Sequence, residues 1–78
     1  MADLKFEIKE SYGTLSENSR GWKKQVNLVS WNNKDPKVEI RDWSEDNSNC
    51  GKGITFTLDE FKILKDTIAK IDIKKLSK

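Results

Sequence analysis

The chain has 78 residues, of which 36% are charged and 35% hydrophobic, and its formal net charge is +2. This length predicts one small domain over residues 1–78, and the regular patterning of its apolar residues excludes a disordered chain. With no histidine and a single cysteine, Cys50, an intrachain disulfide and a zinc site of the usual Cys/His type are excluded, and no apolar run approaches the ~20 residues of a membrane span.

The first predicted element is a strand over about residues 4–15. Leu4, Phe6 and Ile8 alternate with charged residues, which is typical of a strand with one buried face. Farther along, Leu15 falls on the opposite parity. A bulge near Gly13 would explain this switch.

Two further strands are predicted over about 22–31 and 37–43, separated by a turn of composition NNKDP. We assign their alternate apolar residues to the core: Val26, Leu28, Val38 and Ile40. The opposite face then carries cations, an amide and two indoles: Lys23, Asn27, Trp31, Lys37, Arg41 and Trp43. We interpret Trp22, at the start of the second strand, as a structural residue.

A polar loop and a fourth strand, over about 52–56, lead into a helix predicted over about 58–75. Thr57 and Glu60 form a capping box, and Phe56 and Phe61 form a hydrophobic staple. The helix has an apolar stripe with 3-4-3 spacing, made of Phe61, Leu64, Ile68 and Ile71. Two isoleucines lie off this stripe and suggest a dimer interface, Ile63 and Ile73.

These elements predict an α+β fold, with a four-stranded antiparallel sheet followed by one C-terminal helix. The helix can cover only one face of the sheet, so the basic and aromatic face must bind a ligand or contact another chain. A domain this small with one helix buries little core, which favours oligomerisation.

The residue inventory argues against an enzyme. There is no histidine, no nucleophile–base pair and no metal-binding cluster, so we expect no catalytic residue, no cofactor, no metal and no small-molecule substrate. Glu45 and Asp46 form a carboxylate pair, but they lie in a polar loop without a basic partner, which favours a solvated loop. Cys50 is interpreted as a reduced thiol without a role.

Several linked blocks resemble a known family. VEIRDW, followed by a loop and then GKGITFTLDEFKILKDTI, is similar to the core motif of the single-stranded-DNA-binding domain of the transcriptional positive cofactor four family. The likeness is closest to its bacterial YdbC-type members, which share the GW-basic-basic, VSWN, PK-acidic-IR-x-W and GKGIT blocks. It extends from about Leu4 to about Ile71. This resemblance implies a β-β-β-β-α protomer, a homodimer and single-stranded DNA bound on curved sheets.

The resemblance also implies roles for individual residues. It assigns nucleic-acid contacts to Arg41, Trp43, Trp31 and Lys52. Together with the cations and the amide that share this face or its adjacent turn, the predicted binding residues are Lys23, Asn27, Trp31, Lys34, Lys37, Arg41, Trp43 and Lys52. Cations suit phosphates and flat rings suit bases, and stacking contributes about 1–3 kcal/mol per base without base preference.

We therefore expect a cytoplasmic, homodimeric protein that binds single-stranded DNA and acts in transcription, replication or repair, with association with the nucleoid left open. The alternative is a protein-interaction module, or a single-stranded-RNA binder, that uses the same open face. Binding through phosphates should weaken steeply with salt, with a slope of roughly −0.7 per phosphate neutralised on a single strand. An interface with a protein centred on tryptophans should depend much less on salt.

Overall fold

The computed structural model describes residues 5–76, so the predicted strand residue Leu4 lies outside the described residues. Four strands form one antiparallel sheet in the order β1-β2-β3-β4, followed by an α-helix and a short 3-10 helix. The elements are β1 (Phe6–Glu17), β2 (Lys23–Trp31), β3 (Lys37–Trp43), β4 (Cys50–Phe56), α1 (Leu58–Ala69) and the 3-10 helix (Ile73–Lys75). The predicted β-β-β-β-α order is confirmed.

The ends of three elements differ from the prediction. β1 continues to Glu17 and β4 begins at Cys50, because both of these residues pair with the neighbouring strand. The helix ends at Ala69 and does not reach residue 75. Asp72 accepts a hydrogen bond from the backbone N–H of Lys74 at 3.0 Å, so its side chain caps a separate short turn in place of the continued helix.

The register of β1 against β2 shifts three times. One shift lies between Ser11 and Gly13, which confirms the predicted bulge near Gly13. The others lie between Ile8 and Glu10 and between Thr14 and Ser16. Each bulge bends its strand and increases the local twist, so we expect β1 to be strongly bent and twisted.

The resulting coiling brings distant residues together. Phe6 pairs with Trp31 at one end of β2, whereas Trp43 pairs with Lys23 at the other end. In a flat sheet these two ends would lie about 26 Å apart. The rings of Phe6 and Trp43 are nevertheless 5.0 Å apart. The sheet therefore folds over one of its faces, which we call the inner face; the opposite face, which α1 contacts, is the helix face.

The deepest burial lies on the inner face. Val29 is 1% exposed and Trp43 is 0% exposed. The residues that were assigned to the core side are only half-buried: Val26, Leu28, Val38 and Ile40. The assignment of the main core to the helix face is therefore wrong. Strand coiling, which residue parity does not reveal, closes the inner face instead.

The helix face is covered only in part, by the start of α1. Thr57 and Glu60 form the predicted capping box, with the Thr57 N–H donating to Glu60 Oε1 at 2.9 Å and the Glu60 N–H donating to Thr57 Oγ1 at 3.1 Å. The rings of Phe56 and Phe61 lie 6.2 Å apart, as the staple requires. Farther along the predicted stripe, Ile68 is 53% exposed. The second half of the helix therefore leaves apolar surface uncovered.

The protomer is open for its size. Its accessible surface is 6521 Å², about 1,600 Å² more than the roughly 4,900 Å² expected for a compact monomer of 9.0 kDa. The radius of gyration is 14.4 Å, against about 11.5 Å for a compact domain of this length. None of the helices within residues 5–76 has the length and apolarity that a membrane crossing requires.

Candidate nucleic-acid interface

A buried carboxylate organises the inner face. Glu39 lies in β3 and is 0% exposed. Its Oε1 accepts a hydrogen bond from Trp31 Nε1 at 2.7 Å and a longer one from Thr55 Oγ1 at 3.4 Å. Its Oε2 accepts from Arg41 Nε at 2.6 Å. Both carboxylate oxygens are thus engaged, which is what a buried charge requires.

Arg41 is held from two sides. Besides its bond to Glu39, its Nη1 donates to the backbone carbonyl of Gly51 at 3.0 Å. Its guanidinium carbon lies 5.1 Å from the centroid of the Trp31 ring, in cation–π geometry. The side chain is 18% exposed. Three of its five guanidinium N–H groups have no partner among residues 5–76, and these can meet an anion.

The position of Arg41 requires a glycine on the neighbouring strand. Gly53 pairs with Arg41, and a β-carbon at position 53 would lie 2.6 Å from both Cβ and Cγ of Arg41. It would also lie 2.8 Å from the carbonyl oxygen of Ile40. The second glycine of the GKGI block, Gly53, is therefore explained by the passage of Arg41 within its own protomer.

Three aromatic rings form a layer beneath this network. Trp31 and Trp43 are stacked, with 6.3 Å between their centroids and an interplanar angle of 14°. Phe6 packs against both, at 5.6 Å from Trp31 and 5.0 Å from Trp43. Trp31 is half-buried at the edge of this layer. Of the two stacked indoles, Trp31 is therefore the one that retains accessible surface.

Two predicted binding residues lie beneath the surface. Trp43 and Asn27 are both 0% exposed, so the expectation that they lie on an open face is wrong. The Asn27 amide lies between Trp43 Nε1, at 3.3 Å, and Ser11 Oγ, at 2.7 Å, and because the indole N–H is a donor, the amide oxygen is assigned to the side of the indole. Because β1 folds over this part of the sheet, both side chains support the inner face from within.

The predicted lysines are distributed over different surfaces. Lys23 is half-buried beside Trp43, and Lys34 and Lys37 are exposed near the turn between β2 and β3. Lys52 is exposed, but alternation along β4 places it with Ile54 on the helix face, where it borders a shallow cavity that Lys24 also lines. Arg41 also lines this cavity, so alternation places Arg41 and Lys52 on opposite faces while both border the same cavity beside β4.

The turn after β2 places Lys34 close to Trp31. Asn32 and Asn33 have φ angles of 53° and 62°, a conformation that asparagine tolerates better than other side chains. The Lys34 N–H donates to the Trp31 carbonyl at 3.0 Å, and Ser30 Oγ donates to the Lys34 carbonyl at 2.6 Å. A tight, doubly bonded turn thus holds the backbone of Lys34 next to that of Trp31, with the lysine exposed.

The polar loop between β3 and β4 is internally bonded. Asp46 accepts hydrogen bonds from the hydroxyl and the N–H of Ser48, at 2.6 and 3.0 Å, and from the Ser44 hydroxyl at 3.0 Å. These bonds lower the pKa of Asp46 to about 2. Asn47, with φ of 61°, donates to Gln25 Oε1 at 2.9 Å and ties the loop to β2. No group of three or more potential metal ligands occurs within residues 5–76.

The family described as Transcriptional Coactivator p15 (PC4) matches residues 18–67, which is more than half of the chain. The chain belongs to this family. The matched region begins in the turn after β1 and ends within α1, so it contains Trp31, Glu39, Arg41 and Gly53. An uncharacterized protein of Treponema pallidum (strain Nichols) is 37% identical over 71 residues, which cover 91% of this chain and 84% of that protein.

Sequence reasoning missed two parts of the site, Glu39 and the covering ring of Phe6. A signal for Glu39 was present, because a glutamate two residues before Arg41 on a strand must share its face. No local signal predicts that Phe6 covers Trp43, since that contact depends on the coiling of β1.

Proposed function

We propose that this PC4-family protein is a homodimeric, largely sequence-independent single-stranded-DNA-binding protein that acts in transcription, replication or repair. The observation that carries the proposal is the partly exposed Arg41 guanidinium held 5.1 Å from the Trp31 ring. A fixed cation beside an indole face is the combination that a phosphate and its neighbouring base require. Membership of a family described as transcriptional coactivators supports a role on DNA.

In this proposal Trp31 stacks on a base and Arg41 contacts the adjacent phosphate. Lys34 and Lys37, both exposed near the same turn, neutralise phosphates on one side of this pair. Lys23, at the opposite end of β2, extends the path. Lys52 contacts the DNA where the DNA passes over the edge of the sheet, because Lys52 lies on β4, which is an edge strand.

Unpaired bases are required because stacking on Trp31 uses the face of a base. In a duplex both faces of every internal base are covered by its neighbours. The indole could stack on such a base only after the base is unstacked, which costs free energy. Phosphate contacts alone would bind either form of DNA and carry no sequence information. Preference for a single strand therefore depends on Trp31, and overall affinity depends on the cations as well.

The dimer is supported by the surface that one protomer leaves uncovered. The excess of about 1,600 Å² over a compact monomer exceeds the roughly 800 Å² that each partner buries in a standard interface. The apolar side chains that β4 and the helical segment expose lie within this surface: Ile54, Ile63, Ile68, Ile71, Ile73 and Leu76, each at least 50% exposed. Charged residues are depleted in the core of an interface. Two copies can therefore pack on this face if the lysines at its margin, such as Lys52, remain in solvent.

The test is a tryptophan-fluorescence titration with an oligo-dT of about 20 nucleotides, beside a duplex of the same length, at two salt concentrations. We expect quenching by the single strand, a weak response to the duplex and loss of affinity with salt. Trp31→Phe is the matched control, because it keeps a ring but removes the reporting indole, so quenching falls while a labelled oligonucleotide still binds.

Two results of the titration would overturn the proposal. Equal affinity for duplex and single strand would show that stacking contributes nothing. Absence of binding at low salt would remove nucleic acid altogether and favour a protein partner for the same surface. A parallel titration with oligo-U tests the RNA alternative. Tighter binding of oligo-U than of oligo-dT would identify RNA, and not DNA, as the preferred ligand.

A further inference from the structure

The buried Glu39 carboxylate is not among the expected binding residues. It nevertheless contacts the two side chains that the proposed function assigns to a base and to its adjacent phosphate, Trp31 and Arg41. It accepts from Trp31 Nε1 at 2.7 Å and from Arg41 Nε at 2.6 Å. Being 0% exposed, it cannot itself meet a ligand. We propose that Glu39 is a positioning residue that fixes the Trp31 indole and the Arg41 guanidinium in one binding-ready arrangement. This inference rests on the proposed function.

Only a carboxylate of this length meets the geometry. The two donors approach different oxygens, Oε1 and Oε2, so the residue must offer two acceptors and no donor. Glutamine offers one oxygen and one NH₂, and its NH₂ would face either Trp31 or Arg41, leaving that donor opposed by another donor. Aspartate keeps both oxygens but is shorter by one methylene.

The arrangement also determines what each group can offer to a ligand. Because its N–H is bonded to Glu39, Trp31 has no free donor for the edge of a base, and it offers a ligand only the part of its ring that Trp43, Phe6 and Arg41 leave uncovered. Because its Nε is bonded to Glu39 and its Nη1 to Gly51, Arg41 presents only the outer end of its guanidinium. A ring face stacks on any base, and a guanidinium end meets any phosphate, so Glu39 favours binding without sequence preference.

A competing role for Glu39 predicts the opposite sign. If its negative charge only neutralised Arg41, then Glu39→Gln would free that cation, raise the net charge and tighten binding to a polyanion. If Glu39 positions both groups, the same substitution loosens them and weakens binding. The sign of the change in affinity therefore separates positioning from charge compensation.

The experiment compares Glu39→Gln with Glu45→Gln, which makes the same change of charge in the exposed loop between β3 and β4. For Glu39→Gln we expect oligo-dT affinity to fall by about tenfold, the size of the effect of one lost hydrogen bond to a charged group. Glu45→Gln should bind like the wild type. Equal or tighter binding by a folded Glu39→Gln variant would overturn the inference.

A second readout does not depend on DNA. In the free protein, exchange of the Trp31 indole N–H with solvent should be slow in the wild type and faster in Glu39→Gln, measured by NMR with the buried indole of Trp43 as the internal reference. Unchanged exchange at Trp31 would overturn the inference. If the wild-type protein binds no single strand, the proposed function fails, and this exchange measurement still decides whether Glu39 holds the indole.

Arg41→Lys tests the inference if Glu39→Gln does not fold. Lysine keeps the positive charge but cannot bond to Glu39 and to the Gly51 carbonyl at once through a planar fork. We expect Arg41→Lys to lower oligo-dT affinity by about tenfold with an unchanged salt slope. Affinity equal to that of the wild type would show that charge alone suffices and would overturn the inference.

Discussion

The Arg41 side chain crosses directly over Gly53 on the neighbouring strand. A β-carbon at position 53 would lie 2.6 Å from Arg41 Cβ and Cγ, closer than real side chains approach. Because position 53 carries no side chain, Arg41 can lie across β4 while it bonds to Glu39 on its own strand and to the Gly51 carbonyl. This relationship couples the stability of the sheet to the geometry of the proposed site.

Gly53→Ala should therefore displace Arg41 and destabilise the protein by about 1–3 kcal/mol, as overpacking does. Gly51→Ala is the matched control, because its β-carbon would meet its nearest neighbour, Trp22, at an ordinary 3.5 Å. Urea denaturation of both variants measures the difference. If Gly53→Ala is as stable as Gly51→Ala, the close passage of Arg41 is not maintained in solution.

Arg41→Ala should be costly for folding as well as for binding. It would leave Glu39 as an uncompensated carboxylate at 0% exposure, and removing one partner of a buried pair typically costs about 3–5 kcal/mol. Lys37→Ala, at an exposed position, should leave the urea midpoint within error of the wild type. A stable Arg41→Ala variant would show that Glu39 finds another partner.

Trp31→Ala should weaken oligo-dT binding by about 5- to 150-fold, since stacking contributes about 1–3 kcal/mol per base. The slope of log affinity against log salt should stay unchanged, because no phosphate contact is lost. Lys34→Ala is the counterpart, with a slope shallower by roughly 0.7 for one phosphate. Fluorescence anisotropy of a labelled oligonucleotide at several salt concentrations measures both. A reduced slope for Trp31→Ala would contradict the assigned roles.

Ile63→Glu should convert the proposed dimer to a monomer at micromolar concentration. Ile63 is 67% exposed and lines a cavity of about 310 Å³ with Ile54 and Thr67, so the introduced charge would be buried in an interface there. Lys62→Glu places the same carboxylate on the polar side of α1 and should remain dimeric. Sedimentation equilibrium distinguishes them, and a wild-type protein that is monomeric throughout would refute the dimer.

The loop between β3 and β4 should respond to pH through Asp46. Its pKa is lowered from 3.8 to about 2 by hydrogen bonds from Ser48 and Ser44. Because the folded state favours the ionised form, the loop is stabilised above about pH 4 and loses this stabilisation as the pH falls through about 2. The Ser48 amide shift, followed by NMR from pH 6 down to about 1, should titrate near 2. Asp46→Asn should abolish the transition, and a midpoint near 3.8 would contradict it.

Local features of the fold were readable from the sequence because they depend on neighbouring residues. Alternation identified the strands, and the Thr57–Glu60 pair with its flanking phenylalanines identified the start of α1. The position of the main core was not readable in this way. Parity divides a strand into two faces, but which face closes depends on how far the sheet coils, and the three bulges of β1 decide that.

The same distinction between local patterns and contacts that depend on the whole sheet applies to the candidate site. By itself the sequence determined the four strands along the chain, the capped helix and the side chains that alternate on each strand, because each follows from residue spacing. Only the tertiary structure decided that Trp43 is buried beneath Phe6 and that Glu39 bonds to both Trp31 and Arg41. These outcomes depend on curvature and on contacts between strands, which add up over the whole sheet and are not encoded in any short segment.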